Sequence, residues 1–197
     1  MIFETTQCQK WAQSLVRLAL DSVIQFFILS CNHNGAENTP GMVSRLRDAG
    51  YIVVPGTGHW LGNLEQSAMV IPTNNGVFTY HQELFIRRVA NDCHQDTIIF
   101  SDDKLTVVES LRTPKRVFLG ALTVLAEGEV PNVPNYTQIA DLSFFWEDEE
   151  NTKALHSAKK AETSKAFELA DTKPLTPFEL ALQGNSRRVE DPRRYEL

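Results

Sequence analysis

The sequence predicts an α/β fold: one domain over residues 1–146 with a mixed sheet built on βαβ units, then a charged C-terminal tail over residues 147–197. Three observations carry this reading. Apolar residues recur at helical spacing in three segments, and short runs rich in β-branched and aromatic residues fall between them. Charge is concentrated at the C-terminal end, where 20 of the 44 Asp, Glu, Lys and Arg residues occupy the last 51 positions.

Residues 5–20 place Trp11, Leu15, Leu18 and Ala19 at helical spacing, which predicts an N-terminal amphipathic helix packed on the domain. Val23 to Ser30 is apolar with little polar alternation and reads as a buried central strand. The polar stretch CNHNGAENTPG reads as a loop. Pro40 then marks a helix start, Met42, Val43, Leu46 and Ala49 form its apolar stripe, and Gly50 stops it. Tyr51 to Val54 reads as a short strand, and Pro55-Gly56-Thr57-Gly58 as a turn by composition. A strand, helix and strand joined this way predict a parallel pair with a right-handed crossover. A second unit follows, with a strand at Ser67 to Ile71, a helix from Thr79 to Asn91 and a strand at Thr97 to Phe100. Leu105 to Val108 and Val117 to Ala126 read as later strands. In the tail, residues 152–170 hold strong helix formers on a thin apolar face, predicting an exposed helix or one that needs a partner. The end, GNSRRVEDPRRYEL, has little to bury and is expected to stay disordered until it meets a partner.

Composition bounds the function. Hydrophobic residues make up 42% and charged residues 22%, as in an ordinary globular protein. A net charge of −6 argues against general nucleic-acid binding, which needs clustered Lys and Arg. Three scattered cysteines form no disulfide framework and no CxxC pair, which predicts a reducing, cytoplasmic setting. No apolar run approaches the roughly 20 residues of a membrane span, and the N-terminus has no signal-peptide pattern. No cofactor fingerprint is present, and no cofactor or metal site is predicted.

Three polar clusters are candidate sites. Asn32, His33, Glu37 and Asn38 follow the first strand, where open α/β sheets bind ligands; the same residues also suit turns and a helix cap. Gly56 and Gly58, followed by His59, Glu65 and Ser67, form the second; the same run also suits a Gly-rich connection anchored by Trp60. Two glycines after a strand let backbone N–H groups approach an anion, and His59 with Glu65 would make a general acid–base pair if they converge. The third is Gln95 with Asp96, ahead of the strand TIIF. Asp92, His94 and Asp96 together suit a turn better than a metal.

The fragments ENTPGMVSRLRDAGYIVVPGTGHW, EQSAMVIP and HQDTIIFSDD, with LGAL and YTQIADLSFFW as weaker echoes, resemble a loosely defined family of small, functionally uncharacterised bacterial and phage α/β proteins. The resemblance covers residues 28–146. It rests on Glu37, Asn38, Leu46, Arg47, Gly50, Tyr51, Gly56, Gly58, Glu65, Ser67, Gln95 and Asp96; the strand ending FFILSCNHN departs from the pattern. The resemblance implies a fold and a phage or mobile-element setting, and no activity. The expectation is a binding protein acting on a host protein or a nucleotide-like ligand, with host-defence antagonism as one role. The alternatives are a small hydrolase or transferase acting on a nucleotide or ADP-ribose-like substrate through His59 and Glu65, and an accessory virion protein.

Overall fold

The computed structural model describes residues 2–157 except 22–23, 31, 34–35, 38, 61–62 and 103–104, and gives the backbone alone for residues 2–6, 32–33 and 36–37. Helix α1 runs Ile2–Leu20 and is followed by β1 (Phe26–Ser30) and a small hairpin of β2 (Asn32–His33) and β3 (Ala36–Glu37). Helix α2 (Thr39–Asp48) leads to the long hairpin of β4 (Ile52–Trp60) and β5 (Asn63–Ile71). Then come α3 (Tyr80–Asp92), β6 (Thr97–Ser101), β7 (Thr106–Ser110), β8 (Arg116–Phe118), β9 (Leu122–Val124), β10 (Tyr136–Ile139) and β11 (Leu142–Trp146). Residues 149–157 form a further helix, α4.

The parallel, mixed α/β sheet expected from the βαβ pattern is overturned. Among the described residues the protein is mainly β: a half-barrel sheet of nine strands in the order β8-β7-β6-β1-β5-β4-β10-β11-β9, with every pair antiparallel. Both strand–helix–strand connections exist, but each is split. β5 lies between β1 and β4, and β1 lies between β5 and β6, as in the β-α-β-β-α-β arrangement.

The misleading signal came from β1. Its run FFILS has no alternation because both faces of the sheet are covered. On one face Phe27, Leu29, Val53, Val70 and Ile98 pack with Met42 and Leu46 of α2 and Ile86 and Val89 of α3. On the other, Phe26, Ile28, Met69, Ile71, Ile139 and Phe144 pack with Val16, Ala19 and Leu20 of α1. An antiparallel strand between two helical layers reads in sequence like a parallel one. Helix α3 begins at a capping box: the Thr79 hydroxyl accepts from the Gln82 backbone N–H, and the Gln82 side chain accepts from Thr79 N–H. Gly50, at φ 87°, ends α2 as expected.

The turn expected at Pro55-Gly56-Thr57-Gly58 is also corrected, since all four residues lie inside β4. Gly56 is there for close approach. A Cβ at that position would come 2.3 Å from the Gln138 carbonyl oxygen and 2.5 Å from Ile139 Cγ1 on the neighbouring strand. Gly56→Ala is expected to cost roughly 1–3 kcal/mol, because backbone rather than a flexible side chain must move. Urea denaturation measures it, and a change below half a kcal/mol would show that β10 yields freely.

The first compact unit runs Met1–Ala154, so residues 147–154, assigned by composition to the tail, belong with the sheet. Most of the helix expected over residues 152–170, and the terminal segment, lie outside the described residues. No helix among the described residues is long and apolar enough to cross a membrane.

Candidate functional site

Side chains alternate between the faces of a strand, so the residues on the α1 face can be followed along each strand. On four adjacent strands, β6-β1-β5-β4, that face changes character at the same level, and on β10 it does so one rung further along. Ile99 gives way to Thr97, Ile28 to Ser30, Met69 to Ser67 and Glu65, Val54 to Gly56 and Gly58, and Ile139 to Thr137. The registers Ser30↔Ser67, Gly58↔Glu65 and Thr137↔Gly58 align these positions into a polar patch. A cavity of about 250 Å³ opens over it. Ile28, Ile99, Val108 and Leu119 form its apolar side.

Glu65 is the centre of the patch. Ser30 Oγ donates to its Oε2 at 3.0 Å. Gly58 makes the room for this: a Cβ there would stand 2.7 Å from Ser67 Oγ and 3.2 Å from Glu65 Oε1. The glycine therefore lets both side chains lie across β4, which is a different role from the phosphate cradle that its spacing suggested. Gly56 and Gly58 are paired on both sides, with β5 and with β10, so their backbone groups are committed to the sheet.

A second wall comes from β11 and the segment after it. Asn151, 1% exposed, donates from Nδ2 to the carbonyls of Asn135 at 2.7 Å and Trp146 at 2.8 Å, and its Oδ1 accepts from Asn135 N–H at 3.0 Å. Asp148 accepts from Asn135 Nδ2 at 3.0 Å and from Asn151 N–H at 2.8 Å. Trp146, 5% exposed, lines the cavity, and its indole Nε1 has no hydrogen-bond partner among the described residues. Gln95 also lines the cavity, and its Oε1 is likewise buried without a partner among the described residues.

Of the residues singled out by sequence, the fold brings Gly58, His59, Glu65, Ser67, Gln95 and Asp96 to this cavity. Gly56 does not line it. The backbones of Asn32 and His33 pair with Glu37 and Ala36 in the small hairpin; their side chains, and Asn38, lie outside the described residues. His59 and Glu65 do not form the expected acid–base pair. His59 pairs across β4–β5 with Leu64, one rung from Glu65, so the two side chains leave opposite faces, and the His59 ring stacks on Tyr136 at 4.0 Å. Asp96 pairs with Arg112, and Asp92 with Arg45, which holds the Asp92 carboxyl below its ordinary range. No group of three His, Cys, Asp or Glu residues among the described ones could hold a metal. Ser30, Asn135, Thr137, Trp146 and Asn151 were not foreseen. The only hint was the polar content of the segment NYTQIADLSFFW, whose alternation marks a hairpin. A scan of the chain against protein-family models gives no match, and a search of curated proteins gives none either.

Proposed function

We propose that this chain is a binding protein that holds one small hydrogen-bonding ligand, of nucleoside size, in the cavity on the α1 face of the sheet. The observation that carries the reading is the change from apolar to polar side chains on β6, β1, β5 and β10, with glycines on β4, beneath one cavity. A sheet face covered only for stability would continue its apolar run. The volume, about 250 Å³, exceeds the roughly 150 Å³ that accommodates benzene and suits a bicyclic ring system. Ser30, Glu65, Ser67 and Thr137 supply hydrogen-bonding side chains for such a ligand. The hydrolase or transferase reading loses its main support, because His59 and Glu65 project from opposite faces.

The test is native mass spectrometry of the full chain purified from cells, followed by denaturation to release what it carries. The wild type is expected to release a small molecule at one per chain. Ser30→Leu, which fills the cavity from the end of β1, is expected to emerge empty with an unchanged melting temperature. A folded Ser30→Leu that carries the same molecule in the same amount would place the ligand elsewhere and overturn the reading.

A further inference from the structure

Helix α3 buries Ile86, Val89 and Ala90 against the sheet and leaves a second apolar strip on its outer side. Among the described residues, Tyr80 is 70% exposed, Leu84 46% and Phe85 37%, and Val77, just ahead of the helix, is 56% exposed. Exposed apolar side chains scattered singly are ordinary, whereas a contiguous set marks an interaction surface. The strip is also held in place from beneath. Phe85 stacks on Tyr51 at 6.0 Å, Tyr51 lies 6.2 Å from Phe78, and Phe78 lies 5.2 Å from Phe27 in the core. The capping box at Thr79 and Gln82 fixes the first turn. Docking on such a face orders little that is not ordered already.

We infer that this face docks a second copy of the chain, α3 against α3 in antiparallel sense about a twofold axis near Leu84. A twofold contact is self-complementary: where residue i meets j, j also meets i. The outer ridge of α3 has this property. Tyr80 stands four residues before Leu84, and the exposed Arg88 four residues after it, so the three lie on one i, i+4 row. Such rows pack against one another in the commonest class of helix pair. Antiparallel pairing sets Leu84 against Leu84 of the second copy and lays each Arg88 guanidinium on the other copy's Tyr80 ring. That cation–π contact is made twice, and it strengthens as water leaves. A parallel pair would instead set Arg88 against Arg88, and like charges oppose it. Asp92, one turn beyond Arg88, is paired with Arg45 at 2.9 Å, which partly neutralises its carboxylate beside the contact. One helix face makes a small interface, so the dimer forms in a concentration-dependent equilibrium.

Sedimentation velocity of the full chain tests this, under reducing conditions so that the exposed Cys8 forms no cross-link. The wild type is expected to pass from monomer to dimer as its concentration rises. Leu84→Glu, a change at an exposed position, is expected to weaken the dimer at least tenfold while melting like dilute wild type. Tyr80→Arg, which sets arginine against Arg88, is expected to weaken it as much. Mixing Tyr80→Arg with Arg88→Tyr is expected to restore a dimer of wild-type strength with one copy of each, because both contacts between them are again arginine on tyrosine. A wild type that stays monomeric at every concentration, as it would with a different occupant on this face, overturns the inference. So does a dimer that Leu84→Glu leaves intact, or a mixture that associates no better than Tyr80→Arg alone.

Discussion

Arg87→Ala is expected to cost roughly 3–5 kcal/mol of folding stability, the range for breaking a buried ion pair from one side. Glu109 sits on β7 with its side chain only 7% exposed, facing the α3 side of the sheet. Arg87 of α3 reaches it with two N–H groups, Nε at 3.0 Å and Nη2 at 2.8 Å, both on Oε2. Its remaining Nη1 bonds Glu83 at 2.8 Å, one turn back. The guanidinium also lies 5.1 Å from the Phe27 ring centre and 5.5 Å from that of Phe100. Removing it strands a buried carboxylate and uncovers two aromatic faces. Arg116 stands 2.9 Å from Glu109 Oε1, an ion pair without hydrogen-bond alignment, and is itself 64% exposed, so it recovers little of the loss. The double variant Arg87→Leu, Glu109→Leu should return to within about 1 kcal/mol of wild type, because neither charge is then left buried. Urea denaturation of both variants decides it. A single-variant loss under 1 kcal/mol would mean that Arg116 alone holds Glu109.

Helices and strands were legible where a local signal and a tertiary need coincide. The stripe Met42, Val43, Leu46 forms one buried face of α2, though Ala49, expected to extend it, is exposed. Thr79 and Gln82 announce the start of α3 three residues apart. Sheet direction was not legible, because covering by helices on both faces erases the alternation that distinguishes antiparallel strands. The glycines misled for a related reason. Composition ties Gly to turns, but Gly56 answers to Gln138 and Ile139, more than 80 positions away in sequence. Such a contact has no local signature.

The site was legible only in part, and the division follows from topology. Glu65 and Ser67 stand on one strand beside Gly58 on its hairpin partner, so a single short segment displays them together. Ser30 joins them because β1 pairs with β5, a contact that sequence proximity does not hint at. Asn135, Trp146 and Asn151 arrive by way of β10, β11 and the start of α4, which the change in charge at residue 147 had assigned to a separate tail. Charge density marks the surface of α4, where Lys153 pairs with Glu149 and Glu150. It says nothing of the one polar residue that turns inward.

Asn151→Ala is accordingly expected to destabilise the domain by about 2–4 kcal/mol, since truncation removes three hydrogen bonds from buried backbone groups at roughly 0.5–1.5 kcal/mol each. Three bonds are lost at once, to Asn135 N–H, Asn135 C=O and Trp146 C=O, the last of which keeps its bond from Asp148 N–H. The cavity beside Asn135 and Trp146 lets water reach part of this cluster, which keeps the loss below the full sum. Asn151→Asp is the sharper variant. It keeps size and one acceptor but replaces the donor that serves both carbonyls with a second acceptor, so its loss should match or exceed that of alanine. A chain ending after Trp146 should lose at least as much again as Asn151→Ala, because Asp148 goes with it and Asn135 Nδ2 forfeits that acceptor. Thermal and urea unfolding of the three variants read the outcome. If the chain ending after Trp146 melts with the wild type, residues 147–154 are an appendage and the amide cluster contributes nothing to the fold. If it melts well below, the polar wall of the cavity and the stability of the sheet are one structure, and a ligand held in the cavity should stabilise both.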